Sequence, residues 1–221
     1  MQLNFKQQEA IETENGPVLV VAGAGAGKTR VITERIKRLI EKGNAPDKIL
    51  AVTFTNKAAE EMRQRIFSNS NIPPTPNPPF CGTFHQLGLL IIKENLKALN
   101  MGKYFSILDE DDSLDLIKES GKELNIDPKQ YDPRKFKNKI SSMKNVLITH
   151  EMFEETSFWE ELAKRVWTLY EAKKKTNNNL DFDDLLMLPA NLLRFKKEAL
   201  TEYQNRWQFI HIDEYQDTNE A

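Results

Sequence analysis

PVLVVAGAGAGKTR, Pro17 to Arg30, decides the reading of this chain. The run Val18-Leu19-Val20-Val21 is apolar and rich in β-branched residues, which predicts a buried strand starting near Pro17. Glycines at 23, 25 and 27 let the backbone adopt positive φ and turn its N–H groups inward. Lys28 and Thr29 then open a stretch with helical spacing. A helix N-terminus carries roughly half a positive charge, which favours an anion. Strand, glycine-rich loop, Lys-Thr and helix in that order form the context of a phosphate-binding loop. The candidate nucleotide-binding residues are Ala22, Gly23, Ala24, Gly25, Ala26, Gly27, Lys28 and Thr29. Lys28 is placed to reach the β- and γ-phosphates, and the Thr29 hydroxyl to ligate Mg²⁺. The strict motif has glycine where this chain has Ala22. A glycine-rich turn capping a helix would explain the glycines, but not the Lys-Thr pair that follows them.

Working outward, Ile32, Ile36, Leu39 and Ile40 share one helical face, and Gly43 stops the helix. KILAVTF from Lys48 predicts a second buried strand. NKAAEEMRQRIF follows as a helix with Ala58, Ala59, Met62 and Ile66 on one side. SNSNIPPTPNPPF holds five of the ten prolines, so it predicts an exposed loop. FCGTF from Phe80 is a short third strand. Strands alternating with helices imply right-handed βαβ units and a parallel sheet.

From about Leu87 to Asn179 the pattern is helical with little strand signal. Asp109 or Asp111 offers an N-cap to a helix whose apolar face is Leu114, Ile117 and Leu124. Asn177 to Asn179 read as a hinge-like loop. A last helix through Tyr203 and Trp207 leads to a terminal strand, Phe209-Ile210-His211-Ile212. The expected fold class is α/β, an incomplete P-loop NTPase sheet with an inserted all-helical subdomain. The expected segments are 1–90, 91–179 and 180–221.

The terminal strand runs into Asp213 and Glu214. A triphosphate with Mg²⁺ needs a carboxylate at a strand end beside the phosphate loop. Asp213 is the candidate metal ligand with Thr29. Glu214 is the candidate general base for an attacking water, and Lys28 the second candidate catalytic residue. Two acids after an apolar run would otherwise be a solvated strand terminus.

Composition sets the frame. Apolar residues make up 39% and charged residues 29% of 221, which fits a globular chain rather than a disordered one. The single cysteine, Cys81, excludes an internal disulfide, and with only three histidines no zinc cluster is expected. No apolar stretch reaches the ~20 residues of a membrane span, and the N-terminus has no secretory pattern, so no membrane partner and a cytoplasmic location are expected. The net charge of -2 does not mark a nucleic-acid binder, but distribution decides that question. The lysine runs at 135–139 and 173–175 read mainly as solvated surface.

These motifs together resemble the N-terminal part of superfamily 1 DNA helicases of the UvrD/Rep/PcrA type, with their RecA-like fold. The chain carries LNFKQQEAI (Leu3 to Ile11), AGAGAGKTR (Ala22 to Arg30), TFTNKAAEEM (Thr53 to Met62), GTFH (Gly82 to His85), DFDDLL (Asp181 to Leu186) and IDEYQDTN (Ile212 to Asn219) in the family's order. Alanine at 22 is within the family pattern. The resemblance implies ATP and Mg²⁺ as cofactors and an ATP-dependent 3′-to-5′ helicase as the activity. It implies that Gln7 reads the adenine edge, that Arg30 lies near the base, and that Gln216 links the nucleotide to its surroundings. It implies single-stranded DNA contacts by Phe54, Thr55, Asn56, Lys57, Thr83, Phe84 and His85. These loops follow strands at the C-terminal edge of a parallel sheet, where α/β proteins bind ligands. Phe54 is the better stacking platform of the two aromatics. At least one of Asp181, Asp183 and Asp184 is expected to cap a helix. Expected partners are single-stranded DNA, duplex junctions and a C-terminal motor domain of the same protein. Without that domain, weak nucleotide binding and negligible turnover are expected. Another P-loop ATPase, or a non-catalytic nucleotide-binding interaction module, is the alternative.

Overall fold

The computed structural model describes residues 3–13, 16–23, 25–67 and 76–218. They form two compact units, Met1–Leu87 with Glu198–Thr218, and Gly88–Lys197.

The first unit is built on a three-stranded parallel sheet. Its strands are β1 (Ile49–Thr53), β2 (Phe80–Thr83) and β5 (Phe209–Ile212), in the order β2-β1-β5. Thr53 lies opposite Thr83, and Val52 opposite Ile212, so all three strands end together. β1 is buried along its whole length, as its continuous apolar sequence requires of a central parallel strand. Helices α2 (Lys28–Glu41) and α3 (Asn56–Phe67) contribute Ile36, Leu39, Met62 and Ile66 to a core shared with Ile49, Ala51 and Cys81. Each fully buried aliphatic side chain of this kind contributes about 1.5–3 kcal/mol. Gly43, at φ 91°, follows α2 in the left-handed region and stops it.

Helix α1 (Phe5–Glu12) begins with a capping box: the Asn4 side chain accepts from Gln7 N–H, and the Gln7 side chain accepts from Asn4 N–H. Its far end is gripped by Arg35 of α2, whose Nη1 donates to the carbonyls of Ala10 and Thr13.

The strand expected from Pro17 does not form. Residues 17–23 are irregular, and Leu19 and Val21 are 75% and 87% exposed. A strand exists only by exchanging backbone hydrogen bonds with a neighbour. Both edges of β1 are taken, and none of the described residues pairs with this run. Its β-propensity therefore has no ladder to join. Of the proline-rich stretch, residues 68–75 lie outside the described residues, and 76–79 enter β2 without regular structure.

The second unit is mainly helical. It contains most of α4 (Phe84–Glu94), then α5 (Glu110–Glu123), α6 (Pro133–Lys144), α7 (Phe158–Asn177) and α8 (Asp184–Phe195). Its core gathers Ile117, Phe136, Ile140, Val166, Trp167 and Tyr170. Asp109 caps α5 by accepting from Asp112 N–H, and Ser157 caps α7. The expected loop at 177–179 is instead a helix end. Asn178 takes the left-handed conformation at φ 53°, and Asn179 enters a two-residue strand, β4 (Asn179–Leu180). This pairs in parallel with β3 (Ser106–Ile107). Leu180 and Leu185 are buried with Ile92, and a Cβ on Gly88 would lie 1.8 Å from the Leu185 carbonyl oxygen. Residues 180–197 therefore group with the helices rather than with the sheet. The last helix, α9 (Lys197–Arg206), leads into β5, with Tyr203 and Trp207 stacked 5.2 Å apart.

Lys135 and Lys175 are exposed, but the other lysines of the two runs are engaged by carboxylates. Lys137 pairs with Glu110, Lys139 with Glu160, and Lys173 with Glu119 and Glu123. Lys174, expected at the surface, is 2% exposed. Its ammonium and that of Lys144 contact Glu171, Asp181 and Asp184 at 2.5–2.9 Å. Tyr170 donates to Asp181 at 2.9 Å. Burial alone would lower Lys144, but Asp184, Asp181 and Glu171 outweigh it and hold the ammonium well above its ordinary range. Asp181 also accepts from Asp184 N–H, and Asp184 from Asp181 N–H. The N-cap position of α8 is Asp183, which makes no side-chain cap hydrogen bond; of the triplet, only Asp181 satisfies a helical N–H, that of Asp184.

Candidate nucleotide-binding site and strand-binding loops

The phosphate-loop residues lie in the first unit. Gly25 and Gly27 have φ of 74° and 84°, as expected of them, whereas Gly23 does not adopt positive φ. Ala26 N–H donates to Gly23 O at 3.3 Å and closes the turn. Gly27 is the N-cap of α2. Among the described residues no side chain caps this end, and no acid lies in its first turn. The first N–H groups of α2 thus have no side-chain cap, the arrangement an anion site requires. Ala24 lies outside the described residues.

Lys28 Nζ donates to Ala22 O at 3.3 Å and lies 4.0 Å from Glu214. Thr29 Oγ1 donates to Asp213 Oδ2 at 2.8 Å. Asp213 is 4% exposed, and its N–H extends the ladder by donating to Val52 O. Glu214 turns into the left-handed region at φ 53°, and Gln216 donates to its carboxylate at 2.6 Å. Gln216 therefore braces Glu214. The hydroxyl of Thr29 and the carboxylate of Asp213 converge on one point with oxygen ligands only, a donor set that fits Mg²⁺.

Gln7 reaches the same loop from α1, and its Nε2 donates to Ala26 O at 3.0 Å. Arg30 stands one residue beyond Thr29 in α2, half-buried. Contacts of Gln7 with Ala26, Thr29 with Asp213 and Lys28 with Glu214 thus close the sequence separation between the three motifs.

These motifs stand in a chain whose residues 3–221 match the model of the UvrD/REP helicase N-terminal domain. The chain belongs to that family. It is 45% identical over 222 aligned residues to the ATP-dependent DNA helicase PcrA of Bacillus subtilis, with 99% of this chain and 30% of that protein covered. Helicases of the same name from Leuconostoc citreum and Staphylococcus aureus strain Mu50 are 40% identical over the same share. The chain thus spans about 30% of the length of these relatives. Among the described residues, no helix is long and apolar enough to cross a membrane.

The second set of helicase-family motifs lies where β1 and β2 end. Phe54, Thr55, Asn56 and Lys57 are exposed after β1. Phe84 and His85 are half-buried after β2. The Phe54 and Phe84 rings are 5.2 Å apart and tilted by 55°, so the half-buried ring supports the exposed one. Thr55 Oγ1 accepts from Ala58 N–H at the start of α3. Thr83 is 5% exposed, and its Oγ1 accepts from Gln86 N–H. Its hydroxyl therefore serves the turn, and the phosphate contact expected of it is not offered at the surface. Sequence reasoning passed over Asn4 and Gln86. Each belongs to a capping box, Asn-x-x-Gln and Thr-x-x-Gln, whose spacing is visible in the sequence.

Proposed function

We propose that these residues form the ATP- and single-stranded-DNA-binding part of an ATP-dependent 3′-to-5′ DNA helicase. The observation that carries the reading is the 2.8 Å hydrogen bond from Thr29 to Asp213, which joins the phosphate loop to the strand-end acid. In this reading the open N-terminus of α2 and Lys28 bind the β- and γ-phosphates. Thr29 and Asp213 hold Mg²⁺, which when bound neutralises phosphate charge. Glu214 accepts a proton from the attacking water, and Gln216 keeps its carboxylate in place. Gln7 reads the adenine edge and Arg30 packs near the base. Phe54 stacks on a base over Phe84, an interaction worth about 1–3 kcal/mol. Thr55, Asn56, Lys57 and His85 donate to the DNA backbone, with Thr83 holding the turn beneath them. Translocation and unwinding at duplex junctions are proposed for the whole protein, with a second motor domain as partner and the cytoplasm as its location.

The test is calorimetric titration of the 221-residue chain with ATP and Mg²⁺. Measurable binding that Lys28→Ala and Asp213→Ala each weaken by at least about tenfold supports the site. Equal affinity in wild type and both variants would remove it.

A further inference from the structure

Gln86 lies between the two loops that follow β1 and β2. Two hydrogen bonds of its side chain and one of its backbone hold it there. Oε1 accepts from Thr83 N–H at 3.0 Å, and Gln86 N–H donates to Thr83 Oγ1 at 3.2 Å, which closes the capping box at the start of α4. Nε2 donates to Asn56 Oδ1 at 3.2 Å and crosses to the other loop. Gly82 makes room for this pose, since a Cβ there would lie 2.8 Å from Gln86 Oε1. A side chain at 82 would push the amide off Thr83, and with it off Asn56.

We infer that Gln86 is a positioning residue for strand binding: by donating to Asn56 Oδ1, it turns the Asn56 amide so that the NH₂ faces outward. An asparagine amide has a donor end and an acceptor end of nearly equal shape. Only the donor end attracts a phosphate oxygen, and the acceptor end repels it. Asn56 is exposed at the first residue of α3, so its own surroundings leave both orientations open. The bridge from Gln86 removes that freedom. The same bridge sets the spacing of the two loops beside the Phe54–Phe84 contact. The inference rests on the strand-binding reading of these loops.

The experiment measures binding of the 221-residue chain to a fluorescein-labelled oligothymidylate by anisotropy at low salt, with thermal melting of each variant alongside. Gln86→Glu keeps an acceptor for Thr83 N–H and strengthens the capping box, so it should melt at or above wild type. It presents a carboxylate to Asn56, which must then donate inward and turn its carbonyl outward. Its affinity should fall by at least about tenfold. Gln86→Ala loses the cap and should melt lower, yet it only frees the Asn56 amide between two orientations, so its affinity should fall about twofold. In an Asn56→Ala background, Gln86→Ala should weaken binding no further. If affinity instead follows the melting order, with Gln86→Glu at or above wild type, Gln86 is a structural cap alone and the inference is wrong. An undiminished Gln86→Ala effect in the Asn56→Ala background overturns it equally. If wild type fails to bind the oligonucleotide, the strand-binding reading itself falls and takes this inference with it.

Discussion

Two of the lysine–carboxylate clusters among the described residues have opposite characters. Around the phosphate loop, Lys28 stands 4.0 Å from Glu214, with about a quarter of one side chain and two-fifths of the other exposed. In the helical unit, Lys144 and Lys174 share Glu171, Asp181 and Asp184, and both lysines are 2% exposed or less. The residue types match, but solvent access differs. In water the Lys28–Glu214 attraction is screened, so it adds little stability and is easily exchanged for a ligand's charge. In the dry cluster each ionic group depends on all the others, because removing one leaves a charge with neither water nor partner. A loosely paired, half-exposed lysine beside open helix N–H groups is ready for an anion. A saturated, buried one is committed to holding helices together.

The comparison can be broken most readily at Lys144. Lys144→Ala should destabilise the helical unit by about 3–5 kcal/mol, read as lost hydrogen-exchange protection in α6, α7 and α8. Protection that survives in full would mean the buried cluster is not structural. The next effect concerns His211 in β5. Neither ring nitrogen has a hydrogen-bond partner among the described residues. Burial, and then the charge of Arg35, lowers its pKa to about 4, while the nearby Leu50 backbone offsets this only in part. Between pH 6.5 and 4 the unfolded chain takes up a proton that the folded chain refuses. Stability should therefore fall over that window by up to about 3 kcal/mol, with no further loss from this group at lower pH. Urea titrations at several pH values, with His211→Leu removing the slope, check it. The smallest effect on stability is expected at Lys28. Lys28→Ala should shift unfolding by less than about 1 kcal/mol while abolishing the rise in melting temperature given by ATP and Mg²⁺. A loss as large as that of Lys144→Ala would erase the distinction between the clusters.

The exposed cluster was legible in the sequence and the buried one was not, for a physical reason. Lys28 and Thr29 are announced by neighbours: glycines that must adopt positive φ precede them, and a helix follows. Asp213 and Glu214 are announced by the strand they terminate. Lys144, Glu171, Lys174, Asp181 and Asp184 come from three helices and a connection, with no shared local signature. Lys174 sits in a run of three lysines that reads as solvated surface. Burial of such groups is decided by tertiary packing, which composition does not reveal. The same limit explains the run from Val18 to Val21. Its propensity was read correctly as apolar and β-branched, but a strand is a property of two chains side by side. β1, β2 and β5 formed where each found a neighbour. The capping role of Gln86 is visible in the Thr-x-x-Gln spacing, but its bond to Asn56, thirty residues away, has no local signature.

Arg35 gives the first unit a mechanical property. By seizing two carbonyls at the tail of α1, it couples that helix to the one that begins at the phosphate loop, while Gln7 touches the loop at the head. Helix α1 is thus tied at its tail to the middle of α2 and at its head to the loop that precedes α2. In the proposed reading, a tilt of α2 toward a bound triphosphate would carry Gln7 with it, so grip on the phosphates and contact with the base would move in step.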